Sequence, residues 1–383
     1  MVGPAPTPPL GGGRHRKPGP GCTRTRRPPG DHLRAHWKGT ATVLTSSPAA
    51  DGLSRPRVLG VDGNSLGHRG FHSARDEPGS DTRPFVTGAV VSMLASAWVH
   101  GPYDAVVVAF DHPTNHRKLD YPEYKANRPP AHPELTGHLG DLRRHLGDCG
   151  FMVVEVEGCE ADDLLAATAD GCCARGWSCD LLSSDRDLTA LVGPTTRLLR
   201  PLARFADLRV EDERGVRERY GIDPSHYVDF AALRGDTSDG LIGATGIGAK
   251  TAARLVRDHG TVAGIYASLT DLAPKVEAAL REARERVERN LVLMAPIPHL
   301  DVDLDRAAAD GIDLQLVTQT LEPLGLGAAA RRFAWAVTAP PPPPTPPPPD
   351  EPPDALAATV PAAVVERRRL AGAVAEGEQV SLF

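Results

Sequence analysis

The chain of 383 residues contains six cysteines but no Cys-x-x-Cys pair, so the spacing gives no sign of a zinc or disulfide framework. We expect buried, reduced thiols, with a metal site at Cys172, Cys173 and Cys179 as the less favoured alternative. No apolar run follows Arg26-Arg27, so no export signal is expected, and no stretch is apolar enough to span a bilayer. We therefore predict a cytoplasmic protein without a membrane partner.

Proline and charge are unevenly distributed along the chain. Residues 1–57 contain ten Lys and Arg, two Asp and Glu and ten prolines, and residues 339–383 contain twelve prolines. Such segments bury too little apolar surface to fold, so we predict disorder in both. The remainder, 58–338, carries 30 Lys and Arg against 41 Asp and Glu. This acidity argues against a nucleic-acid partner unless the acids are clustered, because phosphate-binding proteins are usually basic.

Strands and helices are predicted to alternate along the middle of the chain. Buried strands are expected at 58–61, 105–110, 151–156 and 179–182. Helical patterns separate or follow them at 88–99, 134–146 and 162–174. This alternation indicates an α/β fold with a parallel sheet that helices cover on both faces.

Acidic residues follow all four predicted strands. They are Asp62, Asp111, the group Glu160, Asp162 and Asp163, and the pair Asp185 and Asp187. Active sites of open parallel sheets lie at the carboxyl ends of the strands, so we expect these acids to converge there. One Asp after a strand is ordinary turn chemistry, but seven acids after four strands are hard to explain in that way.

A second region, 220–258, combines a predicted helix at 224–233, the acids Asp236 and Asp239, and a glycine-rich turn that leads into another helix. The Gly-Ile-Gly turn allows backbone N–H groups to approach a phosphate at a helix N-terminus. A turn that merely joins two helices is the plainer alternative. The predicted phosphate contacts are Gly246, Gly248, Lys250 and Thr251.

Oxygen ligands in this number favour a hard divalent cation, Mg²⁺ or Mn²⁺. Magnesium keeps several waters and uses few carboxylates, so two ions about 4 Å apart fit better than one. Such a pair activates water for phosphodiester hydrolysis. Cations to hold the substrate occur in HRKLDYPEYKANRPP, residues 116–130, where Arg117, Lys118, Lys125 and Arg128 are interleaved with Tyr121 and Tyr124. A solvated loop is the alternative, above all for Lys118.

The motifs VDGNSL, AFD, YPEYKANRPP, EADDLL, SDRDL, YVDFAALRGDTSDG and GATGIGAKTA occur in this order over about 58–295. In this the sequence resembles the 5′ nuclease family, which includes the N-terminal domain of bacterial DNA polymerase I, phage 5′-exonucleases and flap endonucleases. The resemblance implies a PIN-like α/β catalytic domain over 58–215 with a helical arch at about 112–150. It also implies a helix-three-turn-helix DNA-binding subdomain over 216–338.

The resemblance also implies a role for each site residue. Asp111, Glu160, Asp162 and Asp163 would bind mainly a first ion with Asp62 nearby, and Asp185, Asp187, Asp236 and Asp239 would bind a second. Lys125 and Arg128 match the cations that steer the scissile phosphate, and together with Asp163 and Asp185 they are the predicted catalytic residues. The Gly246–Gly248 turn would hold duplex DNA and would also bind K⁺. Arg117 and Tyr124 are expected to contact DNA because of their place in the basic segment, independently of the resemblance. Gly240 and Ser183-Ser184 depart from the usual residues without removing a carboxylate.

These features predict a stand-alone, metal-dependent 5′-3′ exonuclease and flap endonuclease of the nucleoid, which acts on DNA 5′ ends, flaps or RNA primers. A polymerase domain is not expected in the roughly 90 residues after the nuclease region. The alternatives are a structure-specific DNA-binding protein without catalysis and a nuclease specific for RNA.

Both ends of the chain carry a further hypothesis. The last residues, QVSLF at 379–383, resemble the peptide by which replication proteins bind the bacterial sliding clamp, with Gln379, Leu382 and Phe383 as contacts. A tail without function is the alternative. The basic arm 1–57 either binds DNA non-specifically or is dispensable, and we favour the second.

Overall fold

The computed structural model describes residues 56–74, 84–204 and 207–339, besides the isolated Gly3. The structure leaves out nearly all of the segments predicted to be disordered; only Gly3, residues 56–57 and residue 339 of them are described. The 379–383 peptide also lies outside the described residues, so these hypotheses stay predictions. In the part of the chain that is described, no helix is long and apolar enough to cross a membrane.

A central sheet contains six strands: β1 (Arg57–Asp62), β2 (Ala105–Ala109), β3 (Met152–Val154), β4 (Ser178–Leu182), β5 (Thr196–Pro201) and β6 (Leu208–Glu211). Their order is β3-β2-β1-β4-β5-β6. Strands β1 to β5 pair in parallel and β6 is antiparallel to β5. The predicted parallel sheet is confirmed, whereas β5 and β6 were not predicted. In the register, Asp62 lies beside Ala109 and Val61 beside Leu182, so the strands end at a common edge.

The helices of the first half are α1 (Gly63–Ala74), α2 (Pro84–Ala97), α3 (His116–Asp120), α4 (Pro133–Asp148), α5 (Ala161–Arg175) and α6 (Glu213–Tyr220). The second half contains α7 (Tyr227–Arg234), α8 (Ala249–His259), α9 (Val262–Ala267), α10 (Pro274–Met294), α11 (Leu304–Asp310), α12 (Leu314–Leu321) and α13 (Gly327–Thr338). Strands β7 (Gly235–Asp236) and β8 (Leu241–Ile242) form a small hairpin after α7. Short 3-10 helices occur at 98–100, 187–191, 224–226 and 269–271.

Two apolar cores cover the two faces of the sheet, because successive side chains of a strand point in opposite directions. Leu59 and Val61 of β1 face a core formed with α1, α2, α4, α12 and α13. Val58 of the same strand faces a second core formed with α5 and α11. The prediction of a sheet covered by helices on both faces is thereby confirmed.

A third apolar core joins the helices from α7 to α10. Asn290 of α10 is buried there, and its amide donates to the carbonyl oxygens of Ala232 at 3.2 Å and Ile242 at 3.0 Å. These bonds connect α10 to α7 and to the β7–β8 hairpin. In the segment predicted to be an arch, 112–150, the structure places α3, a series of turns and α4, whose Leu142 and Leu146 pack into the first core. The arch and the domain boundaries stay predictions.

Candidate metal centre

The common edge of the parallel strands carries most of the predicted acids. Strand β1 ends at Asp62, Asp111 lies just after β2, and Asp185 just after β4. Strand β3 leads to Glu160, the residue before α5, whose side chain and that of Asp163 form a reciprocal capping box on the first turn of the helix. The parallel topology therefore explains why residues far apart in sequence meet.

These strand ends surround an open cavity of about 890 Å³. Seven of the predicted site residues line it, namely Asp62, Asp111, Lys125, Arg128, Glu160, Asp162 and Asp185. The lining also contains His68, Arg69, His72 and Arg204. The cavity is thus lined both by carboxylates and by nitrogen donors, Lys125 and Arg128 included.

Ser183 connects the ends of β1 and β4. Its hydroxyl donates to Asp62 Oδ2 at 2.6 Å and accepts from the backbone N–H of Asp185 at 2.9 Å. The other oxygen of Asp62 accepts from Ser65 N at 2.8 Å. Asp111 is oriented in a similar way, since its Oδ1 accepts from the backbone N–H of Ala161 at 2.7 Å. Neutral donors therefore orient both carboxylates without cancelling their charge.

The acids nearest the strand ends have raised pKa values. Burial raises the pKa of Asp62 from 3.8 to about 7, and the charges of Asp111 and Asp185 add to this effect. Burial likewise raises the pKa of Asp111 and, more strongly, that of Asp162. Asp162 Oδ1 is buried and has no hydrogen-bond partner. Asp162 Oδ1 still lies 3.8 Å from Arg117 Nη1, whereas Asp62 and Asp111 have no salt bridge among the described residues.

Glu160 and Asp163 behave in the opposite way. Burial alone would raise the pKa of Glu160, but Lys125 and Arg117 lower it; Lys125 Nζ lies 2.6 Å from Oε1 and Arg117 Nη1 3.1 Å from Oε2. Asp163 is fully buried, and a bidentate contact with Arg117 at 2.6 and 2.8 Å keeps its pKa low against the effect of burial. Among the described residues, Asp163 does not line the cavity.

The structure corrects two predicted DNA contacts. The Arg117 side chain is 2% exposed and binds acids and carbonyl groups, and Tyr124 is 4% exposed with its hydroxyl 2.9 Å from Glu160. Buried side chains of this kind cannot touch a phosphate or stack on a base. Both residues support Glu160 instead. Their motif had suggested DNA contacts because a sequence shows the type of a side chain but not the direction in which it points.

The remaining acids form a second group beside the cavity. Asp239 Oδ1 lies 2.6 Å from Arg128 Nη2, and Asp236 accepts from the backbone N–H of Ser238 at 2.8 Å. Asp187 begins the 3-10 helix after β4. Burial, with the charges of Asp185, Asp236 and Asp239, raises its pKa to about 8. Among the residues that line the 890 Å³ cavity, Asp187, Asp236 and Asp239 do not appear.

The glycine-rich turn lies at the surface of the structure. Gly248 is the residue before α8, and Gly246 has a φ of 83°, which favours glycine. Gly246, Gly248 and Lys250 are exposed and Thr251 is half-buried. A Cβ placed on either glycine would meet no atom within 4 Å, so the space in front of this helix N-terminus is open.

The donor set of the cavity fits divalent cations. Its lining offers carboxylate oxygens, and Asp162 Oδ1, which accepts no hydrogen bond and lies 3.8 Å from Arg117 Nη1, is available as a ligand. Within the described residues, no three His, Cys, Asp or Glu side chains meet closely enough to form a finished metal site. Lys125 Nζ lies 2.6 Å from Glu160 and Arg128 Nη2 lies 2.6 Å from Asp239, so each of these acids already has a cationic partner in the protein.

Sequence reasoning missed several residues that line the cavity or orient its acids. Ser183 directly follows β4, so the same strand-end argument that selected Asp185 applies to it. His68 and His72 lie one turn apart on α1, with ring centroids 6.4 Å apart. Helical spacing after Asp62 is the signal that would have placed them beside the acids.

Comparison with known proteins agrees with this fold. The family model described as the 5′-3′ exonuclease N-terminal resolvase-like domain matches residues 57–221. The model described as the 5′-3′ exonuclease C-terminal SAM fold matches residues 222–315. The two matches are adjacent, in the family's order, and include both the acidic cavity and the glycine-rich turn. The chain belongs to the 5′-3′ exonuclease family.

Among curated relatives, DNA polymerase I of Mycobacterium tuberculosis is 34% identical over 252 residues, which is 65% of this chain and 28% of that protein. The thermostable DNA polymerase I of Thermus thermophilus is 31% identical over 280 residues, which is 72% of this chain and 33% of that protein. The chain thus spans a third or less of the length of these relatives. The match lies in their 5′ nuclease region.

Solved structures show the same fold. A bacteriophage T5 5′-exonuclease with bound zinc has a TM-score of 0.52 and 22% identity, and the match covers 73% of this chain and 99% of that one. Human GEN1 in complex with Holliday junction DNA has a TM-score of 0.50 and 15% identity, with 73% and 71% covered. At these identities the likeness establishes the fold alone.

Proposed function

We propose that the chain is a divalent-metal-dependent 5′-3′ exonuclease and flap endonuclease that hydrolyses DNA phosphodiesters near 5′ ends. The observation that carries this proposal is the cavity in which strand ends and α5 place five carboxylates beside Lys125 and Arg128. The 5′-3′ exonuclease family to which the chain belongs supports the reaction class. Bound zinc in the T5 5′-exonuclease and bound DNA in the GEN1 complex support a metal centre and a DNA substrate.

The acids of the cavity and of the group beside it are proposed to bind two ions. Asp62, Asp111, Glu160 and Asp162 are proposed to hold a first Mg²⁺ or Mn²⁺ ion, and Asp185, Asp187, Asp236 and Asp239 a second. Bound ions of this kind supply an activated water and stabilise the leaving oxygen of a phosphodiester. Ser183 keeps Asp62 and the turn at Asp185 in one geometry, because its hydroxyl bonds to both.

The protein's cations are proposed to bind the substrate. Lys125 and Arg128 reach into the cavity and would neutralise and orient the scissile phosphate there. The exposed backbone at Gly246 and Gly248, with Lys250 and Thr251, would hold the phosphates of the duplex. A K⁺ ion at this turn, and a location at the nucleoid in the cytoplasm, belong to the same proposal.

Cleavage assays with 5′-flap, nicked and single-stranded DNA, and with RNA primers on DNA, test the proposal. Asp162→Asn and Asp185→Asn are expected to lower Mg²⁺-dependent cleavage by about a thousandfold, since each removes a charged ligand but little volume. Asp120→Asn is the matched control, because Asp120 is an exposed acid of α3 outside the cavity. Cleavage by the cavity variants at the rate of the unaltered protein would refute the proposal. DNA binding without cleavage by the unaltered protein would favour the non-catalytic alternative.

A sliding clamp is proposed as a protein partner through Gln379, Leu382 and Phe383. This part of the proposal rests on the sequence, in which an aliphatic-aromatic pair ends a proline-rich segment. Deletion of 379–383 is expected to abolish clamp binding, measured by surface plasmon resonance, and to leave flap cleavage unchanged. Equal clamp affinity with and without these residues would contradict it.

A further inference from the structure

Arg117 is the most extensively bonded side chain around the candidate metal centre. Its Nε donates to Leu293 O at 2.7 Å, and its Nη2 donates to Ala295 O at 3.1 Å. The two terminal nitrogens also donate to Asp163 at 2.8 and 2.6 Å, and Nη1 to Glu160 at 3.1 Å. A guanidinium group has five N–H donors, so all of them are used inside the protein. None remains for a DNA phosphate.

Asp163 is as fully occupied as its partner. Its Oδ1 accepts from Arg117 and from Ile297 N at 2.9 Å, and its Oδ2 accepts from Arg117 and from Glu160 N at 2.9 Å. An ionised carboxylate has about four acceptor sites, and four donors fill them. Asp163 is fully buried, so no solvent-facing oxygen is left. Its carboxylate therefore has no vacant position for a metal ion.

The pair joins three elements of the fold. Arg117 lies on α3, Asp163 on the first turn of α5, and Leu293 to Ile297 at the end of α10 and just beyond it. Helix α10 in turn is bonded to α7 and the β7–β8 hairpin through Asn290. Asp162, whose side chain lines the cavity, is the neighbour of Asp163 on the same helical turn. A displacement of the pair would therefore move both Asp162 and Glu160.

We propose that Arg117 and Asp163 are positioning residues, which form a buried lock between α3, α5 and the end of α10 and set the geometry of the metal-binding carboxylates. Asp163 acts through Arg117 and the first turn of α5 and is not a metal ligand. The inference rests on the proposed metal centre, because it concerns the position of residues that bind the ions. It reassigns two residues that the sequence had suggested as a DNA contact and a ligand.

The geometry of the guanidinium group gives a specific test. Lysine keeps the charge of Arg117 but cannot make the paired contact with Asp163 or reach both carbonyl groups. Asparagine at 163 keeps the shape but loses the charge. Mn²⁺ binding, measured by electron paramagnetic resonance and calorimetry without DNA, is expected to weaken about tenfold or more in Arg117→Lys and in Asp163→Asn, the usual effect of removing support from metal ligands. The number of ions bound per chain should stay the same.

A matched control separates this role from a general loss of stability. Arg197→Lys breaks another bidentate pair, with Asp180, whose carboxylate is 2.7 and 2.8 Å from the guanidinium and away from the cavity. We expect this variant to melt at a lower temperature but to bind Mn²⁺ as the unaltered protein does. Melting curves of all three variants identify any that does not fold, and the conservative Asp163→Asn exchange keeps the test decisive if Arg117→Lys fails.

Two results would overturn the inference. The first is Mn²⁺ affinity equal to that of the unaltered protein in folded Arg117→Lys or Asp163→Asn, which would make the lock purely structural. The second is the loss of one ion per chain in Asp163→Asn alone, which would make Asp163 a direct ligand. If the unaltered protein bound no Mn²⁺, the proposed function would fail as well, so the two failures are distinguishable.

Discussion

Asp180, in the middle of β4, differs from the acids at the carboxyl ends of the strands. Asp180 is 1% exposed, but Arg197 binds both of its oxygens and the hydroxyl of Tyr103 donates to it at 2.7 Å. At the carboxyl ends, Asp62 is buried, Asp162 is half-buried and Asp111 is exposed; none of the three has a bidentate cation among the described residues, and their pKa values are raised. The same residue type is thus structural where the chain supplies the opposite charge and available for a ligand where it does not.

The largest expected effect is a loss of stability when Asp180, whose charge Arg197 compensates, is replaced. Asp180→Asn leaves the half-buried Arg197 without its partner charge, so we expect the free energy of unfolding to fall by about 2 kcal/mol. Cleavage per folded molecule should be unchanged. Asp162→Asn should show the reverse pattern, with stability of the metal-free protein kept or increased and cleavage lost. Denaturant unfolding measures the stability of the two variants, and a flap-cleavage assay measures their activity. Equal unfolding curves for Asp180→Asn and the unaltered protein would contradict a structural role for Asp180.

A second expected effect is a dependence of stability on pH and metal. The pKa of Asp62 is raised from 3.8 to about 7 in the folded protein, so the folded state binds more protons than the unfolded state between these values. This contribution to stability is complete below about pH 4 and is lost as the pH rises to about 7, by up to about 1.4 kcal/mol per pH unit. Melting temperatures in EDTA should fall over this window.

Mg²⁺ should reverse this loss, because a bound cation supplies the missing charge and binds only the folded protein. We therefore expect the increase in melting temperature on adding Mg²⁺ to be larger at pH 8 than at pH 5. An increase of equal size at both values would show that the raised pKa values and the metal centre are unrelated.

The smallest expected effect concerns Lys125, whose ammonium group lies 2.6 Å from Glu160. Glu160 therefore resembles Asp180, because a cation of the protein compensates its charge. In Lys125→Met the ammonium group no longer competes with a metal ion, so Mn²⁺ affinity should rise about three- to tenfold, or roughly 1 kcal/mol. Cleavage should fall, because the cation that orients the phosphate is gone. Lys250→Met is the control, since Lys250 is exposed at the start of α8, and its Mn²⁺ affinity should not change. Weaker Mn²⁺ binding in Lys125→Met would contradict the interpretation.

Much of the fold was readable from local patterns. The runs at 58–61, 105–110 and 179–182 appear as β1, β2 and β4 with nearly the predicted bounds, because buried parallel strands are continuously apolar. Strand β5, with the sequence TRLLRP, and the edge strand β6, LRVE, carry arginines that interrupt such a run. Their pairing depends on the neighbouring strands, so the sequence alone did not reveal them.

The site was predictable where it depends on strand ends and unpredictable where it depends on distant partners. The strand-end argument brought Asp62, Asp111 and Asp185 to the cavity. It could not show that Arg117, from an apparently basic loop, turns inward and binds carbonyl groups at the end of α10, 176 residues further along the chain. That contact exists only once the helices have packed, so residue type and spacing gave no indication of it.

Lys125 is one of only two non-glycine residues with a positive φ in the described part of the chain, at 58°. Glycine there would relieve about 1 kcal/mol of backbone strain, but it would remove the ammonium group from the cavity. The ion pair between Lys125 and Glu160 offsets this strain, because it joins two largely buried charges at 2.6 Å. Glycine at this position would free the backbone but leave Glu160 without its nearest cation, so engineering for heat resistance should keep the lysine.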